Sequence, residues 1–345
     1  MPTGTSRAAT YRRIAFTAPG RLALETVPIP RPGETELLVA PEAVGICGTD
    51  LELLDGSMGY LRTGQAAYPI VPGHEWTGIV LEVGSAVTGF EPGDRVVGEC
   101  TVACGTCEVC RGPAGYHLCP NRTETGIMRR PGALGELLVF PARAAYVVPS
   151  HVAVEDAALL EPLAVAYRGM LRLLQGWRPP VVIVGGGTIG LLCGLTARAM
   201  GVEDVTVLEP RPGRRAIAEE LGFECPRGRV DRRWPAVVEA SGTAAGVEAA
   251  VGAAAAAAHV LLLGLSGSES VPVDVDRVVL NDMIVKGSLG SPSVWPDVIE
   301  LVAQGAVVPS RLVSGRYGLE QAAVALAEVR ARAAGTLKVL VRPQE

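Results

Sequence analysis

The spacing of apolar positions changes near the middle of the chain. Before about Pro149, short stretches of alternating apolar and polar residues, such as 21–27 and 77–83, are separated by Pro and Gly. Such alternation is typical of strands with one buried face. After Val154 the apolar residues recur at helical spacing, and a long helical pattern covers residues 155–175. The sequence therefore predicts a β-barrel-type region followed by an α/β region.

The second region repeats a strand and helix unit. Short apolar runs predict strands at 181–184, 205–208, 236–239 and 259–264, and helical patterns predict helices at 188–200, 213–221 and 244–257. The alanine run 253–258 falls where a crossover helix is due and is predicted to be helical. This alternation is typical of a doubly wound parallel sheet. Further helices are predicted at 294–304 and 318–333, and a closing strand at 337–341.

Three glycines, Gly185, Gly187 and Gly190, separate the apolar strand 181–184 from the next helix. In Gly-x-Gly-x-x-Gly the glycines allow a tight turn, a close approach of the backbone to a pyrophosphate, and close packing of helix on strand. Thr188 and Ile189 begin the helix, where free N–H groups attract phosphate. An isolated motif of this kind also occurs in ordinary turns, so its context decides the interpretation.

That context is Glu209, which ends the next strand about 20 residues later, where an acidic side chain accepts the ribose hydroxyls of NAD. Together these features predict a dinucleotide site. NAD is the expected cofactor because Glu209 would repel the 2′-phosphate of NADP. The nearby Arg211, Arg214 and Arg215 keep NADP possible.

Composition narrows the class of protein. The chain has 345 residues, 48% of them hydrophobic and 19% charged, which suits a folded protein of two domains. The formal net charge of −5 gives no basic face for nucleic acid. No apolar run approaches the roughly 20 residues that cross a membrane, and no secretory signal is recognisable. A cytoplasmic protein is expected, with residues 1–13 as a frayed extension.

Five of the eight cysteines lie between Cys100 and Cys119. In a reducing compartment such clustering indicates a metal rather than disulfides. Cys104, Cys107, Cys110 and Cys119 provide the four thiolates of a closed tetrahedral zinc site, which leaves no position for substrate and is therefore structural. The alternative is a set of buried or paired cysteines. Cys100 is interpreted as an ordinary small residue.

A second set of metal-ligand types is spread over three segments: Cys47, His74 and Glu161. Cys, His and a carboxylate around zinc leave a fourth position open, as in catalytic sites. Taken singly, each could be an ordinary buried residue. Beside the four-cysteine loop and the nucleotide turn, they indicate a catalytic zinc.

These motifs resemble the zinc-dependent medium-chain dehydrogenases, the family of the zinc-containing alcohol dehydrogenases, in its polyol, threonine and aminocyclitol branch. The resemblance rests on motifs that occur in the same order as in this family. They are Cys47-Gly-Thr-Asp, Gly73-His-Glu, Pro92-Gly-Asp-Arg-Val, the four cysteines, Glu161-Pro and the glycine turn. It implies a GroES-like β-barrel catalytic domain at 1–157, a Rossmann NAD-binding domain at 158–295 and a C-terminal segment, 296–345, that returns to the catalytic domain. It also implies a homodimer or homotetramer.

By position, the resemblance implies that Cys47 and His74 bind the catalytic zinc and that Glu161 or Glu75 is the third ligand. Thr49 matches the hydroxyl that relays the substrate proton, and Asp50 matches the carboxylate that orients the histidine. The chain departs from the pattern in two places. Eight residues separate Cys110 from Cys119 where seven are usual, and Glu52 replaces a common histidine.

The expected reaction is hydride transfer between NAD and a secondary alcohol of a small polyhydroxylated molecule: a polyol, a sugar or an aminocyclitol. Gly73-His-Glu-Trp76 is similar to the run in 2-deoxy-scyllo-inosamine dehydrogenases. An L-threonine 3-dehydrogenase-like enzyme is the alternative, because Gly98-Glu99 and His117-Leu-Cys119 resemble that branch. A non-catalytic nucleotide-binding protein on the same fold would be expected to lose Cys47, His74 or Thr49, and all three are present.

Overall fold

The computed structural model describes residues 9–345 except 113, 114, 229, 268, 269, 332 and 334. The predicted N-terminal extension therefore lies mostly outside the described residues, as do two residues of the extra-long stretch between Cys110 and Cys119. The strands of the N-terminal half are β1 (Thr10–Ala18), β2 (Arg21–Pro28), β3 (Glu36–Ile46), β4 (Glu75–Val83), β5 (Arg95–Gly98), β6 (Thr101–Val102), β7 (Thr123–Thr125), β8 (Arg129–Arg130), β9 (Leu138–Pro141) and β10 (Ala145–Val147). Its helices are α1 (Gly48–Asp55), α2 (Gly59–Arg62) and α3 (Glu108–Arg111).

The second half alternates helices and strands. They are α4 (Val154–Ala158), α5 (Leu160–Leu174), β11 (Val181–Val184), α6 (Thr188–Ala199), β12 (Val205–Leu208), α7 (Pro212–Glu220), β13 (Trp234–Glu239), α8 (Ala244–Ala253), β14 (Ala254–Leu262), α9 (Val275–Leu280), β15 (Ile284–Gly287), α10 (Trp295–Ala303), β16 (Val313–Gly318), α11 (Ala322–Ala331) and β17 (Lys338–Arg342). Short 3₁₀ turns lie at Tyr116–Leu118, Ala142–Ala144, Pro309–Leu312 and Leu319–Gln321.

The barrel sheet has the strand order β10-β5-β4-β3-β17-β16, with β9 also paired to β3. Its core contains Trp76 and Phe140, whose rings pack edge to face with centroids 4.9 Å apart. The register matters for the site. Gly45 at the end of β3 faces Glu75 on β4, and Ile46 faces Val339 on β17. The end of β3 is thus held between the start of β4 and the start of β17.

The second sheet is parallel, with the order β12-β11-β13-β14-β15. Strand β11 lies between β12 and β13 and is completely buried, which explains its uninterrupted run of β-branched residues. Helices α5 and α6 bury their apolar faces in the same core as this sheet. The predicted barrel-plus-parallel-sheet fold class is confirmed, whereas the domain boundaries at 157 and 295 stay predictions.

The helical pattern 155–175 forms two helices, α4 and α5, which are separated at Leu159. One local prediction was wrong. The alanine run is strand from Ala254 onward, because β14 pairs with β13 and Ala254 lies opposite the fully buried Trp234. Tertiary pairing thus overrides the helix preference of alanine.

Candidate active site

Asp50 joins the first two segments of the site. Cys47 directly follows β3 and caps α1, and its backbone N–H donates to Asp50 Oδ2 at 2.8 Å. The N–H of Gly73 donates to Asp50 Oδ1 at 3.3 Å. Asp50 is completely buried. Its two oxygens therefore fix the residue before His74 against the start of α1, beside Cys47.

Cys47, His74 and Glu75 each offer a ligand atom, and these atoms lie within 4.8 Å of one another. His74 is buried, and its Nδ1 has no hydrogen-bond partner among the described residues. That nitrogen lies 3.7 Å from Asp50 Oδ1. A thiol, an imidazole and a carboxylate form a donor set that zinc prefers, so the residues present fit the metal.

The surroundings of His74 favour a positive charge. Burial disfavours the protonated ring, but the Asp50 carboxylate and Cys47 outweigh it and raise the pKa of His74 well above its usual value. The same concentration of negative charge would stabilise a bound divalent cation.

Lys338 is a residue of this site that the sequence did not reveal. Its Nζ donates to Glu75 Oε1 at 2.8 Å, to Oε2 at 2.6 Å and to the Ile46 carbonyl at 3.2 Å. Both side chains are nearly inaccessible, at 3% for Lys338 and 2% for Glu75. Burial lowers the pKa of Lys338, but the Glu75 charge outweighs it, so the pKa is raised. The available signal was a lysine in the predicted closing strand 337–341, whose other four residues are apolar.

Glu161 lies in the first turn of α5 and is buried. Burial raises its pKa to about 7, and the charge of Glu75 adds to this effect, while His74 opposes it. The structure places Glu161 within electrostatic range of the site but outside the close group of three ligand atoms. Thr49 lies half-buried in the first turn of α1.

The four cysteines of the loop converge. The Sγ of Cys107 lies 3.4 Å from that of Cys110 and 3.7 Å from that of Cys119, and Cys104 Sγ lies 3.8 Å and 3.5 Å from the same two atoms. Tetrahedral zinc with bonds of about 2.3 Å places its sulfurs about 3.8 Å apart. Backbone and hydroxyl donors of Thr106 lower the pKa of Cys104 to about 5, which favours the thiolate. The arrangement fits a structural zinc, and it includes Cys119 despite the longer spacing.

The glycine turn connects β11 to α6. Gly185 has φ of 107°, which favours glycine, and a Cβ on Gly190 would lie 1.9 Å from the Gly185 carbonyl oxygen. Gly187 caps α6, followed by Thr188 and Ile189. The bare backbone at the start of this helix fits a pyrophosphate.

Glu209 follows β12 beside the same turn. Its Oε2 accepts the Gly186 N–H at 3.0 Å, and its Oε1 accepts both the N–H and the Nε–H of Arg211 at 2.9 Å. Burial raises the pKa of Glu209, but these hydrogen bonds outweigh it and the pKa is lowered. A cavity of about 860 Å³ lies here, bordered by Glu209, Arg211 and Arg215 on one side and by Ser241 and Thr243 on the other.

A short series of contacts links the glycine turn to the metal-ligand group. Thr188 Oγ1 donates to the Leu337 carbonyl at 3.3 Å. Leu337 precedes Lys338, which binds Glu75. The start of α6 and the Cys47, His74 and Glu75 group are therefore connected through two consecutive residues of the C-terminal segment.

Comparison with known proteins agrees with this geometry. Residues 33–150 match the model of the alcohol dehydrogenase GroES-like domain. Sorbitol dehydrogenase of Ovis aries is 31% identical over 94% of this chain and 94% of its own. L-threonine 3-dehydrogenase of Chelativorans sp. is 31% identical over 90% of this chain and 93% of its own. A protein of Sinorhizobium meliloti 1021, described as a zinc-binding dehydrogenase and solved with NADP, superposes with a TM-score of 0.89 at 32% identity, covering 97% of this chain and 100% of its own.

The fold and the two candidate metal sites define a zinc-dependent alcohol dehydrogenase that uses a nicotinamide dinucleotide. The chain belongs to the zinc-dependent medium-chain dehydrogenases, in the branch that holds the sorbitol and threonine dehydrogenases. The expected family is thereby confirmed. Among the described residues, no helix is long and apolar enough to cross a membrane.

Proposed function

We propose that the protein transfers hydride between NAD and a secondary alcohol of a polyhydroxylated substrate: a polyol, a sugar or an aminocyclitol such as 2-deoxy-scyllo-inosamine. The observation that carries the proposal is the buried Cys47, His74 and Glu75 group, connected to the glycine turn through Leu337 and Lys338. These contacts support a metal site and a dinucleotide cradle that are neighbours, as hydride transfer requires.

In this proposal Cys47, His74 and Glu75 hold the catalytic zinc, with Glu161 close by. Zinc bound there supplies a Lewis acid that polarises the oxygen of the reacting carbinol. Thr49 Oγ1 accepts the hydroxyl proton of the substrate and passes it towards solvent. Asp50 keeps the segments of Cys47 and His74 in place through its two backbone hydrogen bonds.

The two glutamates are proposed to differ in their role. Lys338 holds Glu75 beside Cys47 and His74, and Glu75 offers a ligand atom within 4.8 Å of theirs. Glu161 lies outside that close group, and burial raises its pKa to about 7. We therefore favour Glu75 as the third ligand and Glu161 as a carboxyl group close to the metal.

NAD is proposed as the preferred cofactor. Glu209 is anchored beside the turn with a lowered pKa, so its negative charge persists at neutral pH and opposes a 2′-phosphate. Arg211 and Arg215 border the same cavity and moderate that preference. The NADP found in the Sinorhizobium meliloti protein makes a direct comparison of both cofactors necessary.

The substrate is tested by a spectrophotometric screen. Sorbitol, sugars, myo-inositol, 2-deoxy-scyllo-inosamine and L-threonine are offered with NAD⁺, and formation of reduced cofactor is followed. The highest kcat/KM is expected for a polyhydroxylated compound. L-threonine is the competing candidate because threonine dehydrogenases are as similar to this chain as sorbitol dehydrogenases. A clear preference for threonine, or no oxidation of any alcohol, contradicts the proposal.

A homodimer or homotetramer is proposed as the working form, in the cytoplasm. β15 is the edge of the parallel sheet, and its Ile284 is 50% exposed. On the neighbouring α9, Val279 is 69% exposed and Leu280 83%. Exposed apolar side chains on an edge strand and on the helix that precedes it suit pairing with a second copy. Light scattering coupled to size exclusion measures the mass, and a monomer contradicts this part.

A further inference from the structure

A second polar group lies in the catalytic domain, apart from the metal ligands. Glu124 on β7 is buried, and its Oε1 accepts the Arg122 Nε–H at 2.8 Å and the Tyr60 hydroxyl at 3.2 Å. Arg122 Nη2 also donates to the Tyr60 oxygen at 3.1 Å. All three side chains thus hold one another in a closed triangle, which we name the Glu124 triad. No donor among the described residues reaches Glu124 Oε2.

The backbone places this triad beside the metal ligands. Gly126, two residues after Glu124, packs so tightly on Gly73 that a Cβ on Gly126 would lie 2.8 Å from the Gly73 nitrogen. Gly73 immediately precedes His74. Tyr60 lies on α2, the helix that follows α1 with its Thr49 and Asp50.

Cys100 is hydrogen-bonded to the strand that carries Glu124. Its carbonyl accepts the N–H of Thr125, the neighbour of Glu124, at 2.9 Å. Burial raises the pKa of the Cys100 thiol well above its usual value, and the charges of Glu161, Glu124 and Cys47 add to the effect. One thiol is therefore within electrostatic range of both the triad and the metal ligands.

The chemistry of the triad selects its ligand. Arg122 balances the Glu124 charge, and two donors fix the position of the carboxylate, so the group is preorganised. A carboxylate oxygen such as the open Oε2 accepts hydrogen bonds and donates none. Its ligand must therefore carry a hydroxyl or an ammonium group.

We propose that Glu124 is a specificity-determining residue, which accepts a hydrogen bond from a hydroxyl or ammonium group of the substrate away from the reacting carbinol, with Arg122 and Tyr60 as its positioning residues. This inference rests on the proposed function and narrows the substrate to one with a second donor group. A simple alcohol has nothing to offer Glu124.

The test compares substrates that differ in the second donor. Steady-state kinetics with NAD⁺ are measured for cyclohexanol, myo-inositol, sorbitol and 2-deoxy-scyllo-inosamine, using the wild-type holoenzyme and Glu124→Gln. The amide keeps the shape and loses the charge, and a charge-assisted hydrogen bond is worth about tenfold or more. The ratio of kcat/KM for the best donor-bearing substrate to that for cyclohexanol is expected to fall at least about tenfold, mainly through KM. A larger fall for the amine than for the neutral polyols identifies an ammonium ligand.

Two further variants complete the design. Glu82→Gln, on an exposed position of β4, is the matched control and should leave the ratio unchanged. Tyr60→Phe removes one support of the carboxylate and should lower the ratio by a smaller factor in the same direction, which keeps the test open if Glu124→Gln does not fold. A ratio that is the same in wild type and in both triad variants overturns the inference.

Calorimetry separates this inference from the proposed function. Binding of the same polyols and amine to the zinc- and NADH-loaded protein needs no turnover. Affinity that is lost in Glu124→Gln supports the inference even if no alcohol is oxidised, in which case only the proposed function fails. Equal affinity in both proteins, or no binding to either, overturns the inference.

Discussion

The ion pair between Lys338 and Glu75 gives a prediction whose size follows from burial. Lys338→Met removes the cation and leaves the Glu75 carboxylate in a place where water cannot reach it, because the side chains are only 3% and 2% exposed. Exposed pairs contribute about 0.2–1 kcal/mol, whereas breaking a buried pair by removing one partner costs about 3–5 kcal/mol. We expect the larger figure, since the bond to the Ile46 carbonyl is lost as well.

The assay is urea unfolding of the zinc-free protein, with the midpoint and slope fitted together. Lys286→Met is the matched control, because among the described residues its Nζ donates only to the Arg172 carbonyl, at a more exposed position. That variant should lose about 1 kcal/mol or less. Zinc content measured on each sample checks that no metal is present to pair with Glu75.

A double variant tests the reason for the loss. In Lys338→Met/Glu75→Gln both charges of this buried pair are removed, so part of the stability should return and the two substitutions should couple by about 1–3 kcal/mol. Equal losses for Lys338→Met and Lys286→Met would refute the argument. So would additive effects in the double variant.

Three further predictions concern the four-cysteine loop, Glu209 and Glu161. Cys107→Ser should lower the stability of the protein and reduce its bound zinc from about two ions per chain to about one, as measured by metal analysis. The control Cys225→Ser should keep both zinc ions. Full zinc and full stability in Cys107→Ser would exclude a structural metal in this loop. Wild-type kcat/KM should be higher with NAD⁺ than with NADP⁺, and Glu209→Gln should reduce the ratio of the two values. A wild-type preference for NADP⁺ would show that Glu209 does not repel the 2′-phosphate. In the zinc-free protein, the raised pKa of Glu161, about 7 against an ordinary 4.5, means that its ionised form destabilises the fold above pH 7 and that this penalty vanishes below the ordinary value. Glu161→Gln should therefore stabilise that protein by roughly 3 kcal/mol at pH 8 and hardly at all at pH 4 in urea titrations, and equal gains at both pH values would contradict the assignment.

The parts of the fold that the sequence predicted are those fixed by local rules. The glycine turn is one, because Gly185 needs a positive φ and Gly190 has no room for a side chain. The spacing of the four cysteines is another, since one short loop carries all four. The alternation of apolar runs after Val154 was enough to predict the parallel sheet.

What the sequence could not show depends on contacts between distant segments. Lys338 and Glu75 form an ion pair although 263 positions separate them in the sequence. The residues around either one do not indicate that pairing. The Glu124 triad is assembled in the same way, from α2 and β7. The alanine run was mispredicted because it belongs to β14, which pairs with the distant strand β13, and a helix preference read locally does not reveal that pairing.

The most direct test of a metal-assisted dehydrogenase concerns His74. His74→Ala removes one ligand of the proposed catalytic zinc. It leaves the glycine turn unchanged, because that turn joins β11 of the parallel sheet to α6. We predict that the variant binds NADH with near-normal affinity by fluorescence but turns over at least about a hundredfold more slowly, which corresponds to a loss of roughly 3 kcal/mol of transition-state stabilisation. Thr49→Val should be milder, since water can partly replace a relay hydroxyl. A folded His74→Ala protein that lacks the catalytic zinc and keeps wild-type turnover would contradict the account.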